Sequence, residues 1–410
     1  MSDSSWAGPL AGVTVLDFTR VVAGPYASLL LADLGAEVLK IEPPPGGDDI
    51  RSLAPHVGGE SHYYLAFNRN KQSLVVDLKQ PAGVNLALDL ARRADVVLEN
   101  FRPGVMHKLG LGYETLSAVN PMLVYCAISG FGASGPLRDR PSFDLITQAL
   151  SGVMSVNGPP DAPPQKLGLP LGDLAGGMYG ALAVVSALFE RKSSGRGRLI
   201  DISLMDCMQG MLGYLAQLYF VTGREPGRSG NKHPLLVPYG DYATADGRIL
   251  IVCLTDASWQ NVARALDHPE WIDDVRYATI ASRVQHRVEL DRDIELALAA
   301  RPTADWQRRL DQADVPNAPI LGVGASLEHP QTRARQMVEE VQHPTAGTVR
   351  LVGRPIKFAG ESMAPMEPPP TLGQHTREVL ARHLGYSAGE LDELARARVI
   401  DTHKACDRSA

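Results

Sequence analysis

Cysteine is scarce in this chain and never sits beside histidine. The four thiols, Cys126, Cys207, Cys253 and Cys406, are far apart, and no CxxC or Cys/His cluster occurs. Structural zinc has no ligand set here, and free thiols in a reducing compartment are expected. The histidines are scattered without metal-ligand spacing, so no metal is expected. Basic residues are not in excess: 40 Lys and Arg face 46 Asp and Glu, for a net charge of -6. A general nucleic-acid binder would carry a basic face instead. Long apolar runs are missing too. The longest, residues 178–189, is interrupted by Gly180 and Ser186 and is too short to span a bilayer. The opening Met1-Ser2-Asp3-Ser4-Ser5-Trp6 lacks the basic start and apolar run of a signal peptide. A soluble cytoplasmic protein with neither nucleic-acid nor membrane partners is the expectation.

Several catalytic signatures are absent as well. There is no G-x-S-x-G elbow and no Walker A motif, which removes the usual footing for a hydrolase or an ATPase. A first βαβ unit has Glu42 at the end of its second strand, where a ribose-binding acid would sit. Its loop reads Thr19-Arg20-Val21-Val22-Ala23-Gly24-Pro25. One Gly and a Pro cannot give the close backbone approach that G-x-G-x-x-G offers a pyrophosphate, so a nicotinamide dinucleotide is not expected.

What is present is a chain of 410 residues, 44% hydrophobic and 21% charged, long enough for more than one domain and for a core without staples. Short apolar runs at 13–18, 38–42, 95–99, 123–128 and 199–203 read as strands. Helical patterns at 26–34, 82–93 and 173–192 lie between them. Strands alternating with helices predict an α/β fold with a mostly parallel sheet. The texture changes near Thr222. Residues 224–238 are rich in Gly, Pro and basic side chains, as a linker would be. Asp246-Gly247 then marks a hairpin, and three helical stretches follow, predicting a smaller α+β domain over 223–325. From about Gly322 the chain turns again. Residues 348–352 and 355–358 are read as a second hairpin, and two helices over 376–384 and 387–397 close the chain.

Asp173 opens the long helix in Gly172-Asp173-Leu174-Ala175-Gly176-Gly177. One reading makes it a helix N-cap, whose oxygen accepts orphan backbone N–H bonds. The other makes it a carboxylate kept ionised by the helix dipole and able to attack an acyl thioester. Two loops, Asn68-Arg69-Asn70-Lys71 and Asn100-Phe101-Arg102-Pro103-Gly104, carry basic and amide groups. They suit either a phosphate-rich ligand or ordinary solvated surface.

These segments together resemble the class III coenzyme A transferases, a family that includes the related α-methylacyl-CoA racemases. The resemblance rests on Pro9-Leu-Ala-Gly-Val-Thr-Val-Leu-Asp17, Ala23-Gly-Pro25, Leu31-Ala-Asp-Leu-Gly-Ala-Glu-Val-Leu-Lys-Ile-Glu42, Asn68-Arg-Asn-Lys71, Glu99-Asn-Phe-Arg-Pro-Gly104, Ser129-Gly-Phe-Gly132 and Gly172-Asp-Leu-Ala-Gly-Gly177. Each string is weak alone; their order and spacing make the set specific. The resemblance implies a large Rossmann-like domain begun by 1–222 and completed by 326–410, with two ring-like subunits interlocked as a homodimer. It implies no tightly bound cofactor, with a coenzyme A thioester and a small carboxylic acid as substrates. It makes Asp173 the nucleophile. Arg20, Val21 and Ala23 would border the thioester, and Lys71, Asn100, Phe101, Arg102 and Lys108 would contact coenzyme A. A basic residue that the family carries after the second strand's glutamate is Pro43 here.

The racemase branch needs acid and base groups on both faces of the α-carbon. It carries His directly before Asp in the segment that here reads Pro141-Ser142-Phe143-Asp144. Phe143 cannot exchange a proton, which favours acyl transfer. The alternatives kept open are a 2-methylacyl-CoA racemase and a CoA-binding protein without catalysis. On the acceptor side, Asn231, His233, Pro238 and Tyr239 resemble the pattern of dicarboxylate-using members. His233 is read either as a carboxylate contact or as a solvated linker histidine. Succinyl-CoA or a related four- or five-carbon dicarboxyl thioester is the expected donor.

Overall fold

The computed structural model describes residues 6–401. The opening Met1 to Ser5 and Cys406 lie outside the described residues. Six parallel strands form the central sheet: β1 (Thr14–Asp17), β2 (Glu37–Glu42), β3 (Lys71–Val76), β4 (Val96–Glu99), β5 (Val124–Ser129) and β6 (Leu199–Ser203). Their spatial order is β3-β2-β1-β4-β5-β6, with Ile400–Asp401 added antiparallel beside β3. This is the doubly wound order of a Rossmann sheet, and its strand order reverses between β1 and β4. Ligands in such sheets lie in the crevice at the carboxyl ends of those strands.

Strands β1, β2, β4 and β5 are largely buried, which is why they read as short apolar runs; β6 is partly exposed, and β3, which opens on Lys71-Gln72-Ser73, is a strand that the sequence pattern did not show. Val15, Val38, Val96, Leu98 and Ile128 pack to one side; Leu16, Leu39, Leu74 and Val97 pack to the other. Full burial of each such side chain contributes about 1.5–3 kcal/mol. Three helices position the site: α1 (Ala23–Asp33), α2 (Asp144–Leu150) and α3 (Leu171–Ser194). Side chains of α1 and α3 join the first cluster. The second is covered by Pro81–Ala91 and by the closing helices Thr376–Leu384 and Ala388–Arg396, through Leu86, Val379, Leu380 and Leu391. The C-terminal segment is thus part of the sheet's core.

Helix α3 begins two residues before Asp173 and runs for 24 residues, ending at Gly195 with φ +64°. It is longer than the sequence pattern suggests, and by length and composition it would pass for a membrane span. Half of its apolar window is buried inside the protein, as in a core helix. Its glycines permit this. A Cβ at Gly177 would lie 2.8 Å from the Ala23 carbonyl oxygen, and one at Gly176 would strike Leu204.

The described chain divides into two compact units, and the β1–β6 sheet belongs to the first. The second comprises residues 154–165 and 223–330. It has a three-stranded antiparallel sheet of Tyr239–Ala243, Arg248–Val252 and Asn317–Pro319, with Trp259, Trp306, Tyr242 and Tyr277 at its centre. Residues 154–165 are tied to it by Arg228, which donates to the Pro159, Pro160 and Ala162 carbonyls, and by the Gly230 N–H, which donates to the Gly158 carbonyl at 3.0 Å. One local expectation is corrected. Gly347–Val352 pairs with the preceding Val338–His343, and residues 355–358 form no strand. The proline at 355 has no N–H to give a ladder.

Candidate functional site

At the strand-order reversal, two loops are tied together by one amide. The Arg20 N–H donates to Asn100 Oδ1, and Asn100 Nδ2 donates to the Arg20 carbonyl, both at 2.8 Å. Above them lies a cavity of about 160 Å³. Val21, Val22 and Ala23 line it after β1, Asn100, Phe101, Arg102 and Pro103 after β4, and Ser129, Gly130 and Phe131 at the end of β5. Asp173 and Phe143 complete the wall, together with Arg138, Arg140, Ser142 and Leu204.

The β1 loop is held from below. Lys40 is fully buried, and its ammonium lies 2.9 Å from Asp48 and donates to the Thr19 carbonyl at 2.7 Å. Asp48 Oδ1 accepts the Val21 N–H at 3.1 Å. Val21 itself has φ +68°, a conformation that costs a β-branched residue of order 1–3 kcal/mol. The buried ion pair beneath it over-determines that geometry and turns the chain into α1 at the cavity wall.

Asp173 is not the cap of its helix. It lies in the first turn of α3, and it makes no side-chain capping bond. The cap is supplied from α2: Asp144 Oδ1 accepts the Gly172 N–H at 2.7 Å, and Asp144 Oδ2 accepts from Gln148 Nε2 at 2.7 Å. Burial, then the Asp144 charge, pushes the Asp173 carboxyl up to about 7. The expectation that the helix dipole keeps Asp173 firmly ionised is therefore corrected. Among the described residues no hydrogen bond or ion pair holds its carboxylate, which leaves both oxygens available to a ligand.

The other residues singled out from sequence fall into three groups. Val21, Ala23, Asn100, Phe101, Arg102 and Phe143 line the cavity with Asp173. Phe143 is 76% exposed and sits at the N-cap of α2, directly before Asp144. Arg20 stands beside the cavity, its guanidinium 5.3 Å from the Phe101 ring centre and 3.9 Å from Asp49. Lys71 and Lys108 are not in the lining. Lys71 is buried under α1, donating to Pro25 O at 2.9 Å and Asn68 Oδ1 at 3.0 Å, with Asp17 at 3.5 Å. Burial pushes its ammonium down to about 7. Lys108 is exposed at the end of a short helix, Val105–Lys108. His233 and Tyr239 belong to the second unit, where their rings lie 5.0 Å apart. His233 Nδ1 accepts the Leu235 N–H at 3.1 Å, so the proton of the neutral ring is on Nε2.

Sequence reasoning missed Arg138, Arg140 and the capping role of Asp144. The signal for the arginines was a basic pair closely following a glycine-rich strand end. Asp144 had no comparable signal, because its partner Gly172 is distant in sequence.

Residues 10–376 match the model of CoA-transferase family III. A succinyl-CoA:glutarate CoA-transferase of Mus musculus is 38% identical over 98% of this chain and 93% of its own length. An acetyl-CoA:oxalate CoA-transferase of Acetobacter aceti is 39% identical over 86% of this chain and 90% of its own. Among solved structures, a CAIB/BAIF family protein from Brucella suis superposes with a TM-score of 0.84 at 36% identity, covering 92% of this chain and 99% of that one.

Proposed function

This chain belongs to CoA-transferase family III and is a class III CoA-transferase, and from that premise we propose that Asp173 is its nucleophile and that it moves coenzyme A from succinyl-CoA, or a related short dicarboxyl thioester, to a carboxylic acid. The observation that carries this reading is the free Asp173 carboxylate in the wall of a cavity at the strand-order reversal. The succinyl donor is supported by relatives named for succinyl-CoA.

The reaction is stepwise. The ionised Asp173 attacks the donor thioester carbonyl and expels the coenzyme A thiolate, leaving an aspartyl mixed anhydride. The thiolate attacks the aspartyl carbonyl, releasing the donor acid and leaving an aspartyl thioester. The acceptor carboxylate attacks that thioester, giving a new anhydride and free thiolate. The thiolate then takes the acceptor acyl group, and the Asp173 carboxylate is restored.

Each tetrahedral intermediate carries an oxyanion that needs backbone donors. At the start of α3 the Leu171, Gly172 and Leu174 N–H groups are already given to Leu169 O, Asp144 and Pro170 O. We therefore assign the oxyanion donors to Val22 and Ala23 at the start of α1, where a helix leaves N–H groups unpaired. Phe143 offers no proton, so racemisation has no second base at that place. Arg20, Phe101 and Arg102 are assigned to coenzyme A at the mouth of the cavity. Lys71 is assigned to holding α1 rather than to the ligand, and Lys108 to the outer cofactor surface. His233 and Tyr239 remain the proposed acceptor-side pair.

An interlocked homodimer of two-domain subunits is part of the proposal. It is supported by bare apolar side chains on α3, Leu182 and Phe189, and on Tyr214–Thr222, where Tyr214, Phe220 and Val221 are at least 70% exposed. A cytoplasmic location is supported by the free, buried thiols of Cys126, Cys207 and Cys253.

The test is to trap the intermediate. Under turnover with succinyl-CoA, borohydride or hydroxylamine should modify the Asp173 peptide, read by mass spectrometry. An unmodified peptide while product accumulates would sink the assignment. Deuterium exchange at the α-carbon of a 2-methylacyl-CoA without acceptor would favour the racemase. Saturable coenzyme A binding without label exchange between acid and thioester would favour a binding protein.

A further inference from the structure

The cavity beside Asp173 carries two positive charges that the chemical steps leave without a task. Arg138 and Arg140 line it from the turn between β5 and α2. The turn is closed by Arg140 N–H to Leu137 O at 2.9 Å. Arg138 lies 3.5 Å from its neighbour Asp139, an exposed pair that contributes little. Among the described residues no carboxylate pairs with the Arg140 guanidinium. The Asn100 amide across the cavity gives its oxygen and one N–H to the Arg20 backbone, so what it can offer a ligand carboxylate is one neutral N–H and no charge.

Size decides what these charges face. The cavity is open on one side, with Arg138, Arg140 and Phe143 exposed at its rim, and its volume is about 160 Å³, below the roughly 300–1,000 Å³ of pockets that engulf drug-sized ligands. It suits a short acyl chain and leaves the nucleotide end of a thioester outside. A dicarboxylic acyl group with its carbonyl at Asp173 brings its second carboxylate into the same small space. A second anion there, near Asp144 and Asp173, needs a cationic partner. Guanidinium forks match carboxylates two bonds at a time.

We propose that Arg138 and Arg140 grip the distal carboxylate of a dicarboxylic substrate and so set the preference for dicarboxylic over monocarboxylic acyl groups. The inference rests on the placement of the reacting acyl carbonyl at Asp173.

The test uses the full-length enzyme and its Arg138→Gln, Arg140→Gln and double variants, each with a Lys counterpart. The kcat/KM values for succinyl-CoA and butyryl-CoA are measured with one acceptor. Each Gln change should lower the succinyl-to-butyryl ratio by roughly 10–100-fold, the worth of a charge-assisted hydrogen bond. Lys should recover part of it, since it keeps the charge but loses the fork. An unchanged ratio overturns the proposal. An equal loss with both donors overturns it too, and assigns the arginines to the coenzyme A phosphates. Wild-type enzyme that transfers no acyl group at all would instead refute the Asp173 reading. Circular dichroism and Tm confirm that each variant is folded before the ratio is read.

Discussion

Asp144 caps the helix on which Asp173 stands. Its Oδ1 takes the Gly172 N–H at 2.7 Å, one residue before Asp173, and its charge helps lift the Asp173 carboxyl to about 7. The two carboxylates divide two tasks that a single residue at a helix start could have carried. Because Asp144 satisfies the backbone, Asp173 is left with no intramolecular bond to break before it reacts.

The first prediction concerns pH. Attack requires the ionised carboxylate, and an acid raised to about 7 keeps its proton through the range between its ordinary value of 3.8 and 7. For the free enzyme, kcat/KM should therefore rise tenfold per pH unit below 7 and level off above it. Asp144→Asn keeps an oxygen for Gly172 but removes the like charge, so the midpoint should move to lower pH. A pH profile of both enzymes checks this. An unmoved midpoint in the variant would leave burial as the sole cause.

Stability gives an independent reading of the same group. Asp173 has a folded pKa above its unfolded one. The stability linked to its proton is complete below pH 3.8 and is lost as pH rises through 7. Asp173→Asn removes that loss and no capping bond. It should unfold at a Tm equal to or above wild type at pH 8, the gap shrinking toward pH 4, while transfer is abolished. A Tm several degrees below wild type at pH 8 would mean that the carboxylate has a structural partner.

Lys40 offers a larger effect. It and Asp48 are fully buried, 2.9 Å apart, and Lys40 is also one of the cations that hold Asp17 below its usual range against burial. Lys40→Met leaves buried carboxylates uncompensated, at a cost of about 3–5 kcal/mol. Urea unfolding should show that loss, and the Val21 turn should loosen with it. A change under 1 kcal/mol would show that water reaches Asp48.

The same residues mark where sequence reading stops. The alternation of strands and helices was legible at β1, β2, β4 and β5 because those strands are largely buried and mostly apolar; β3 was not legible, because it opens on the polar Lys71-Gln72-Ser73. Asp173 was legible as a helix-start carboxylate beside glycines, and motif order singled it out. Its partner was not: Asp144 reaches Gly172 across 28 residues, a contact that no local pattern encodes. Lys71 sits in a polar loop that suited either a phosphate-rich ligand or solvent, and the family resemblance made it a coenzyme A contact. Only packing reveals that Pro25 O, Asn68 and Asp17 enclose it. Residues 154–165 are proline-rich, yet nothing in that pattern tells which unit they join; the ties are distant in sequence, from Arg228 and from the Gly230 N–H to the Gly158 carbonyl.

The last prediction links packing to chemistry through Gly177. In a helix interior, Ala is favoured over Gly by about 1 kcal/mol. Gly389, in the first turn of the helix Ala388–Arg396, has open space around a Cβ, so Gly389→Ala should add stability of up to about that increment and raise Tm. At Gly177 the same methyl would lie 2.8 Å from Ala23 O and 2.9 Å from the Tyr26 ring. A backbone carbonyl cannot rotate away as a side-chain end can, so α3 must shift off the first turn of α1. Overpacking of this kind costs about 1–3 kcal/mol, enough to reverse the helical gain. The shift separates Asp173, on α3, from the Val22 and Ala23 amides that receive the oxyanion. Gly177→Ala should therefore lower Tm and also lower kcat more than KM changes, because the lost interaction forms only in the transition state. A variant with lowered Tm but unchanged kcat would uncouple the α1–α3 contact from the reaction and move the oxyanion donors elsewhere.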